Sequence, residues 1–369
     1  MEKEELKLGK LDIKMSTMLK GIAIILMVAH HSFGFQNDWI SSIKYNSQIL
    51  GMSINEWIRW STKICVAIFA FITGYAYFFT KTPTIKYGLK KIWGLLKRYW
   101  FILFVIFLPL SLYIGSKVIT GKIILYNILA LNKRLIPFAW YVYFYVFAML
   151  TMPFIKKCFN GKWVNDFVIP SLIFATLANL LGMAKFSNEF KWIKSDLNNI
   201  FLYMPCIIYG FLFAKYNLFE KLDKYLKPKY IWQAVVIIIL IFGISLNWHT
   251  VMGFNMYTLY VPIFIYSCMI ILNNLRFNII PKVLIFLGKH SLNIWFLHAL
   301  FFSGYTRDWL QPIGFLPKNP ILVVCWEIVL CLPISILINL IFKYEDKLEE
   351  KIKSKFIKNK GEVLNDEKI

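Results

Sequence analysis

Residues 19–35 read LKGIAIILMVAHHSFGF. The run is apolar enough to enter a bilayer, yet it opens beside Lys20 and carries two adjacent histidines, His30 and His31, in its second half. Polar side chains deep in hydrocarbon are costly; they normally face a protein interior or an aqueous cavity and mark function. If the run is a helix, the eleven steps from Lys20 to His31 make three turns plus about 20°, so both side chains share one face. The rise between them is about 16 Å, roughly half the hydrocarbon thickness. Lys20 is therefore expected at a membrane boundary and His31 in the midzone. His30 is turned about 100° from His31 and is expected to meet a different neighbour.

Composition extends this reading to the whole chain. Of 369 residues, 58% are apolar and 17% charged, against about 45–50% and about 25% in soluble domains. An integral membrane protein follows. The net charge of +22 does not indicate nucleic acid: only five of the 42 basic residues are arginine, and no basic stripe with interleaved aromatics stands outside the apolar runs. The six cysteines form no CxxC pair and join no histidine at ligand spacing, so they are expected to pack as small hydrophobes, with no metal site.

A helix needs about 20 apolar residues to cross the core. Ten runs qualify, at roughly 18–35, 58–79, 92–114, 136–155, 164–182, 199–214, 230–248, 254–273, 282–304 and 319–342. The expected fold is all-α, with about ten transmembrane helices in one membrane domain over 12–342. A short segment, 1–11, precedes it and a charged tail, 343–369, follows. Loops on the amino-terminal side hold 27 lysines and arginines and the opposite loops 10, which orients both termini to the cytoplasm. The first run has the short apolar core of a signal peptide, but no small-residue cleavage site follows, so it is read as a retained span.

Four motifs in order resemble the type-3 membrane acyltransferase family. That family's first helix carries Arg or Lys, ten residues, then His; here these are Lys20, GIAIILMVAH and His31. IFAFITGYAYF (68–78) is similar to its phenylalanine-rich run ending in Ser-Gly-Tyr, with Thr73 in place of the serine. AWYVYFYVFAMLTMP (139–153) resembles its aromatic stretch closing on proline, and FLGKHSLNIWFLHALF (286–301) its Gly-Lys-x-Ser start and aromatic-Leu-His ending at His298. The third helix departs: LKKIWGLLKRYW (89–100) keeps a basic cluster but has no proline before Tyr99. The resemblance covers about residues 12 to 342.

The resemblance implies a multi-pass enzyme of the bacterial cytoplasmic (inner) membrane that moves an acyl group, usually acetyl, from acyl-CoA to a hydroxyl of a cell-envelope glycan or lipid-linked glycan. A hydroxyl needs a base at neutral pH, and imidazole supplies one; His31 is expected as base or as acyl relay. Lys20 and the cluster Lys90, Lys91, Lys97 and Arg98 are expected to meet the phosphates of acetyl-CoA on the cytoplasmic side, although the same cations suit contact with membrane lipid. Glu327, the one acid well inside a span, is expected to pair with Arg59, Lys63 or a histidine. His298 and Ser291 are supporting candidates, and Trp140 is read as packing. A transporter or flippase for a polysaccharide precursor, using the histidines as proton relays, would instead show inverted repeats and helices broken at the midplane. A sensor subunit would bind without turnover.

The orientation is testable by cysteine labelling at Lys86 and Lys191 in a cysteine-free background. Lys86 should react from the cytoplasmic face and Lys191 from the other. Reaction of Lys86 from outside only would invert the topology.

Overall fold

A computed structural model describes residues 10–34, 48–49, 51–114, 119–131, 135–187, 191–226, 231–275 and 278–366. The described chain is helical almost throughout; two short antiparallel hairpins, β1–β2 (Gln48–Ile49 with Met52–Ser53) and β3–β4 (Thr250–Val251 with Phe254–Asn255), are its strands. Eight helical stretches among the described residues are long and apolar enough to cross a membrane. They coincide with eight of the ten expected runs. The other two runs are also helical but shorter: α7, Trp140–Ile155, has 16 residues and α11, Ile231–Ser245, has 15. At 1.5 Å per residue these span about 24 and 22 Å, less than the hydrocarbon core. α7 starts late because residues 135–139 turn around Pro137, which has no N–H to give a helix.

The helices follow the chain in order. α1 is Ile13–Gly34, and α2 (Ile54–Thr62) and α3 (Ile64–Phe78) form one span broken at Lys63. Ser53 and Glu56 close a capping box at the start of α2, satisfying two amide groups that the first turn leaves open. α4 (Ile85–Ile102) passes through a π-helical turn, Leu103–Phe107, into α5 (Leu108–Tyr113). α6 is Gly121–Ile128, α8 is Ile169–Met183, α9 is Lys191–Lys215 and α10 is Leu218–Leu226. α12 is Tyr257–Asn274, α13 is Ile279–Leu297 with a 3₁₀ turn His298–Phe301, α14 is Arg307–Gly314 and α15 is Pro320–Asp366. α15 runs without a break through position 343, where the tail was expected to begin. Its first tail turns are held by Lys97, whose Nζ lies 2.6 Å from Glu345 Oε1 and 3.6 Å from Glu349 Oε1.

Two glycine clasps hold the bundle centre. A methyl group on Gly21 would run into the carbonyl of Leu284, and one on Gly288 into the carbonyl of Thr17. In a helix the Cβ points toward the N-terminus and the carbonyl toward the C-terminus. Each glycine therefore meets a carbonyl four residues earlier on its neighbour, which is the geometry of two parallel helices with Gly21 opposite Gly288. α3 and α9 also pair in parallel, with Gly74 against the carbonyl of Ile207 and Gly210 against that of Phe71, each three residues before the partner glycine. In lipid, backbone approach at small residues is what drives helices together, and Cα–H···O contacts across such a seam add about 0.5–1 kcal/mol each. Parallel pairing of the first expected span with the ninth, and of the second with the sixth, agrees with an alternating ten-span order.

Gly21→Val and Gly288→Val should each cost more than the ~1–3 kcal/mol of ordinary overpacking, because the obstacle is backbone. The check is the thermal midpoint and monodispersity of detergent-solubilised protein. Gly243→Ala, at a helical position with open space around it, should hold its midpoint.

Candidate active site

The α1–α13 clasp sets a sequence offset of 267 between facing residues, and the same offset pairs His31 with His298. Both are buried, at 6% and 0% exposure, and His31 Nδ1 lies 2.6 Å from His298 Nε2. His298 Nδ1 is 3.0 Å from the carbonyl of Ile294. A carbonyl only accepts, so the proton on His298 sits on Nδ1. In the neutral pair His298 Nε2 then accepts, His31 Nδ1–H donates to it, and the lone pair of His31 falls on Nε2. A partner that fixes the tautomer of an imidazole also fixes which nitrogen does chemistry. The two rings are coplanar to 4°. Phe138 lies over both, with its centroid 3.5 Å from that of His31 and 5.1 Å from that of His298.

His31 lines a cavity of about 290 Å³ together with His30, Lys63, Val66, Pro137, Phe138, Trp140, Asn199 and Tyr203. His30 does meet a different neighbour: its Nδ1 donates to the carbonyl of Arg59 at 2.7 Å, so its lone pair also falls on Nε2 in the neutral form. It nevertheless lines the same cavity as His31. Trp140, expected as packing, stands there too, 5.7 Å from Tyr203 between ring centroids.

Next along α1, Ser32 Oγ lies 2.7 Å from Glu327 Oε2 and 2.7 Å from the carbonyl of Val28. Glu327 is fully buried, and its Oε1 has no hydrogen-bond partner among the described residues. Its partner is thus a hydroxyl, not the expected Arg59, Lys63 or histidine. Arg59 and Lys63 instead stack on Trp60, at 4.9 and 4.8 Å from its ring centroid.

A second cavity, of about 450 Å³, lies lower on α1. Lys20, Lys90 and Lys91 border it, and its wall is apolar and aromatic, with Met27, Leu95, Tyr141, Tyr145, Leu292 and Trp295; Ser291 borders it as well. Lys20 and His31 therefore serve different cavities, although they lie on one helix at the expected separation. Lys97 and Arg98 are not brought to either. Lys97 is engaged by the acids of α15, and Arg98 donates to Asn339 Oδ1 at 2.8 Å and stacks over Phe342 at 4.6 Å. Of the four expected phosphate-binding residues, two border the cavity and two staple α4 to α15.

The sequence reading missed Phe138, Asn199, Tyr203, Lys63 and the His31–His298 bond. The spacing of the glycines, Gly21 to His31 and Gly288 to His298, is ten in both cases and was the one available signal for that bond.

A model of the acyltransferase domain family matches residues 16–340, nearly the whole chain. The chain belongs to the type-3 acyltransferase family, and it is an all-α membrane protein of that family. Comparison with curated proteins and with solved structures gives no match.

If His298 holds the tautomer of His31, then His298→Leu should lower acyl transfer by about 10² or more, a loss of the size seen when acid–base function is removed. His298→Gln, whose carbonyl can accept from His31 Nδ1–H, should recover part of it. Transfer per inserted protein decides; equal rates for Leu and Gln would reduce His298 to packing.

Proposed function

Proceeding from family membership, we propose that the chain is an O-acetyltransferase of the bacterial cytoplasmic membrane. It moves acetyl from cytoplasmic acetyl-CoA to a hydroxyl of a cell-envelope glycan or lipid-linked glycan. The observation that carries this reading is the buried His31–His298 pair at the wall of a polar, aromatic cavity, while a cation-edged apolar cavity lies lower on the same helix.

Lys20, Lys90 and Lys91 are the residues suited to the phosphates of the donor, since three cations at a cavity edge, with no acid paired to them among the described residues, favour anions. The apolar wall from Leu95 to Trp295 suits the uncharged arm of the donor, and Met27 stands one turn, about 6 Å, before His31. The donor supplies an activated acyl carbon as a thioester. His31 Nε2 takes the proton of the acceptor hydroxyl as that oxygen bonds to the acyl carbon and the carbon–sulfur bond breaks. The proton then passes to the departing sulfur, so His31 ends neutral. Through both transfers His298 keeps the imidazole in one tautomer and Phe138 keeps it in one plane. The same nitrogen is the one that would carry the acyl group in a two-step relay.

The transporter reading uses the same histidines as a proton path, but it leaves a cation-edged donor cavity without a role. Membership of an acyltransferase family weighs with the first reading.

The test uses membranes containing the full chain, radiolabelled acetyl-CoA and the host's envelope glycans, read for ester-linked acetyl. His31→Ala should abolish transfer, by at least about 10²–10⁴, with donor binding retained. Lys90→Ala and Lys91→Ala should each raise the apparent donor KM about tenfold, the loss of roughly one charge-assisted contact. Lys97→Ala should leave the donor KM in place. A His31→Ala protein that still turns over near the wild-type rate would sink the assignment.

A further inference from the structure

The His31 cavity contains a cation that the chemistry above does not use. Lys63 sits at the junction of α2 and α3, where the span breaks, and borders the cavity with His30 and His31. The described residues give it no acid: their ion pairs are Lys97 with Glu345 and Glu349, Lys215 with Asp166, and Arg307 with Asp308. The acid nearest to hand in sequence, Glu56, is committed to its own capping box, and Glu327 is bonded to Ser32. What Lys63 has is the face of Trp60, 4.8 Å away, shared with Arg59 on the same ring. Stacking on an indole steadies a cation without neutralising it. An uncompensated charge inside a membrane protein is expensive and is kept where a ligand meets it.

The rest of the lining narrows what that ligand is. Among the lining residues, Trp140 and Tyr203 contribute aromatic rings, Asn199 an amide, and His30 an imidazole whose Nδ1 is already committed to the Arg59 carbonyl. Aromatic faces combined with convergent polar groups suit a polyhydroxylated ring. A volume of about 290 Å³ falls just under the ~300–1,000 Å³ of drug-sized ligand cavities, and so suits one ring rather than an oligosaccharide.

We infer that this cavity selects an acidic sugar: Lys63 holds a carboxylate or phosphate carried by the acceptor while a hydroxyl of the same ring meets His31. This inference rests on the acyltransferase reading and adds the acceptor class to it. Lys63 is a specificity residue, and a purely catalytic role, such as steadying the charged oxygen of the transfer step, is a distinct outcome of the test.

The experiment compares three matched probes in membranes of the full chain with radiolabelled acetyl-CoA: octyl β-glucoside, octyl β-glucuronide and octyl β-glucoside 6-phosphate. They differ only at carbon 6, so the last two distinguish carboxylate from phosphate. At least one acidic probe should be acetylated with kcat/KM about tenfold to a hundredfold above the neutral one, the range a hydrogen bond to a charged group supplies. Lys63→Met should remove that preference through KM, and Lys63→Arg should keep most of it. Three results overturn the inference: a neutral probe used as well as the acidic ones, a preference that survives Lys63→Met, or a loss in kcat equal for all probes. Acetylation of the endogenous glycan but of no probe overturns it as well. If no acceptor at all, endogenous included, gains acetyl, the acyltransferase reading fails and the inference falls with it. Thermal midpoints of the Lys63 variants, matched to wild type, separate these results from misfolding.

Discussion

The site depends on how closely α1 can approach α13. Lipid offers helices no hydrophobic gain from association, so close packing must come from backbone contact at small residues. Gly21 and Gly288 provide it, each lying against a carbonyl of the other helix. Because the two helices run parallel with a fixed offset, the clasp controls what faces what ten residues further on. There the offset delivers His298 to His31 at 2.6 Å. A one-residue slip along either helix would rotate its histidine by about 100° and break the bond. The register of a glycine seam thus determines a tautomer ten residues further along both helices.

Membrane burial raises the stakes of every polar group in this arrangement. A histidine in hydrocarbon without a partner would forfeit several kcal/mol of hydration. The chain instead places its polar groups in sequence along one helix: His30 on the Arg59 carbonyl, His31 on His298, Ser32 on Glu327. Three consecutive residues of α1 point in three directions, 100° apart, and each is met by a different element: α2, the end of α13, and α15. This explains why α1 can hold such polar residues at depth, and why it must be central: a peripheral helix has no neighbours on three sides.

Much of this was legible in the sequence, and what was not has a physical reason. Apolar runs located the spans because a length criterion of about 20 residues acts locally. It overstated the helices at 136–155 and 230–248, where Pro137 and the turn leading to the β3–β4 hairpin end the helix sooner than hydropathy does. Helical phase put Lys20 and His31 on one side of α1 and sent His30 elsewhere, again from local geometry. Partners were the difficulty. Glu327 was matched to cations by charge, yet it lies against Ser32, because proximity across α1 and α15 is fixed by packing that charge does not report. Lys97 and Arg98 looked equivalent to Lys90 and Lys91 as cations of one helix. Seven residues on, almost two turns, they face α15 rather than the cavity. Trp140 read as packing because an aromatic in a span usually is packing; only the turn at 135–139 reveals it at a cavity.

The two cavities draw their linings from the same helices, and the way they do so bears on the proposed chemistry. α1 gives Lys20 and Met27 to one cavity and His30 and His31 to the other; α7 gives Tyr141 to the first and its neighbour Trp140 to the second. Met27 and Tyr141 are buried, and Tyr141 is braced edge-on by Trp295 at 4.9 Å. A thioester is susceptible to water, and an enzyme that brings it to a base from one side and an alcohol from the other must keep those sides from joining through solvent. In the proposed chemistry, Met27 and Tyr141 are the buried side chains of the donor cavity that stand nearest in sequence to His31 and Trp140 of the other. Methionine is unbranched and repacks at low cost, whereas the His31–His298 pair one turn beyond is held by a hydrogen bond and by the ring of Phe138. α1 is therefore adaptable at Met27 and fixed at His31, an asymmetry that follows from placing an unbranched side chain, and not another aromatic, one turn below the His31–His298 pair.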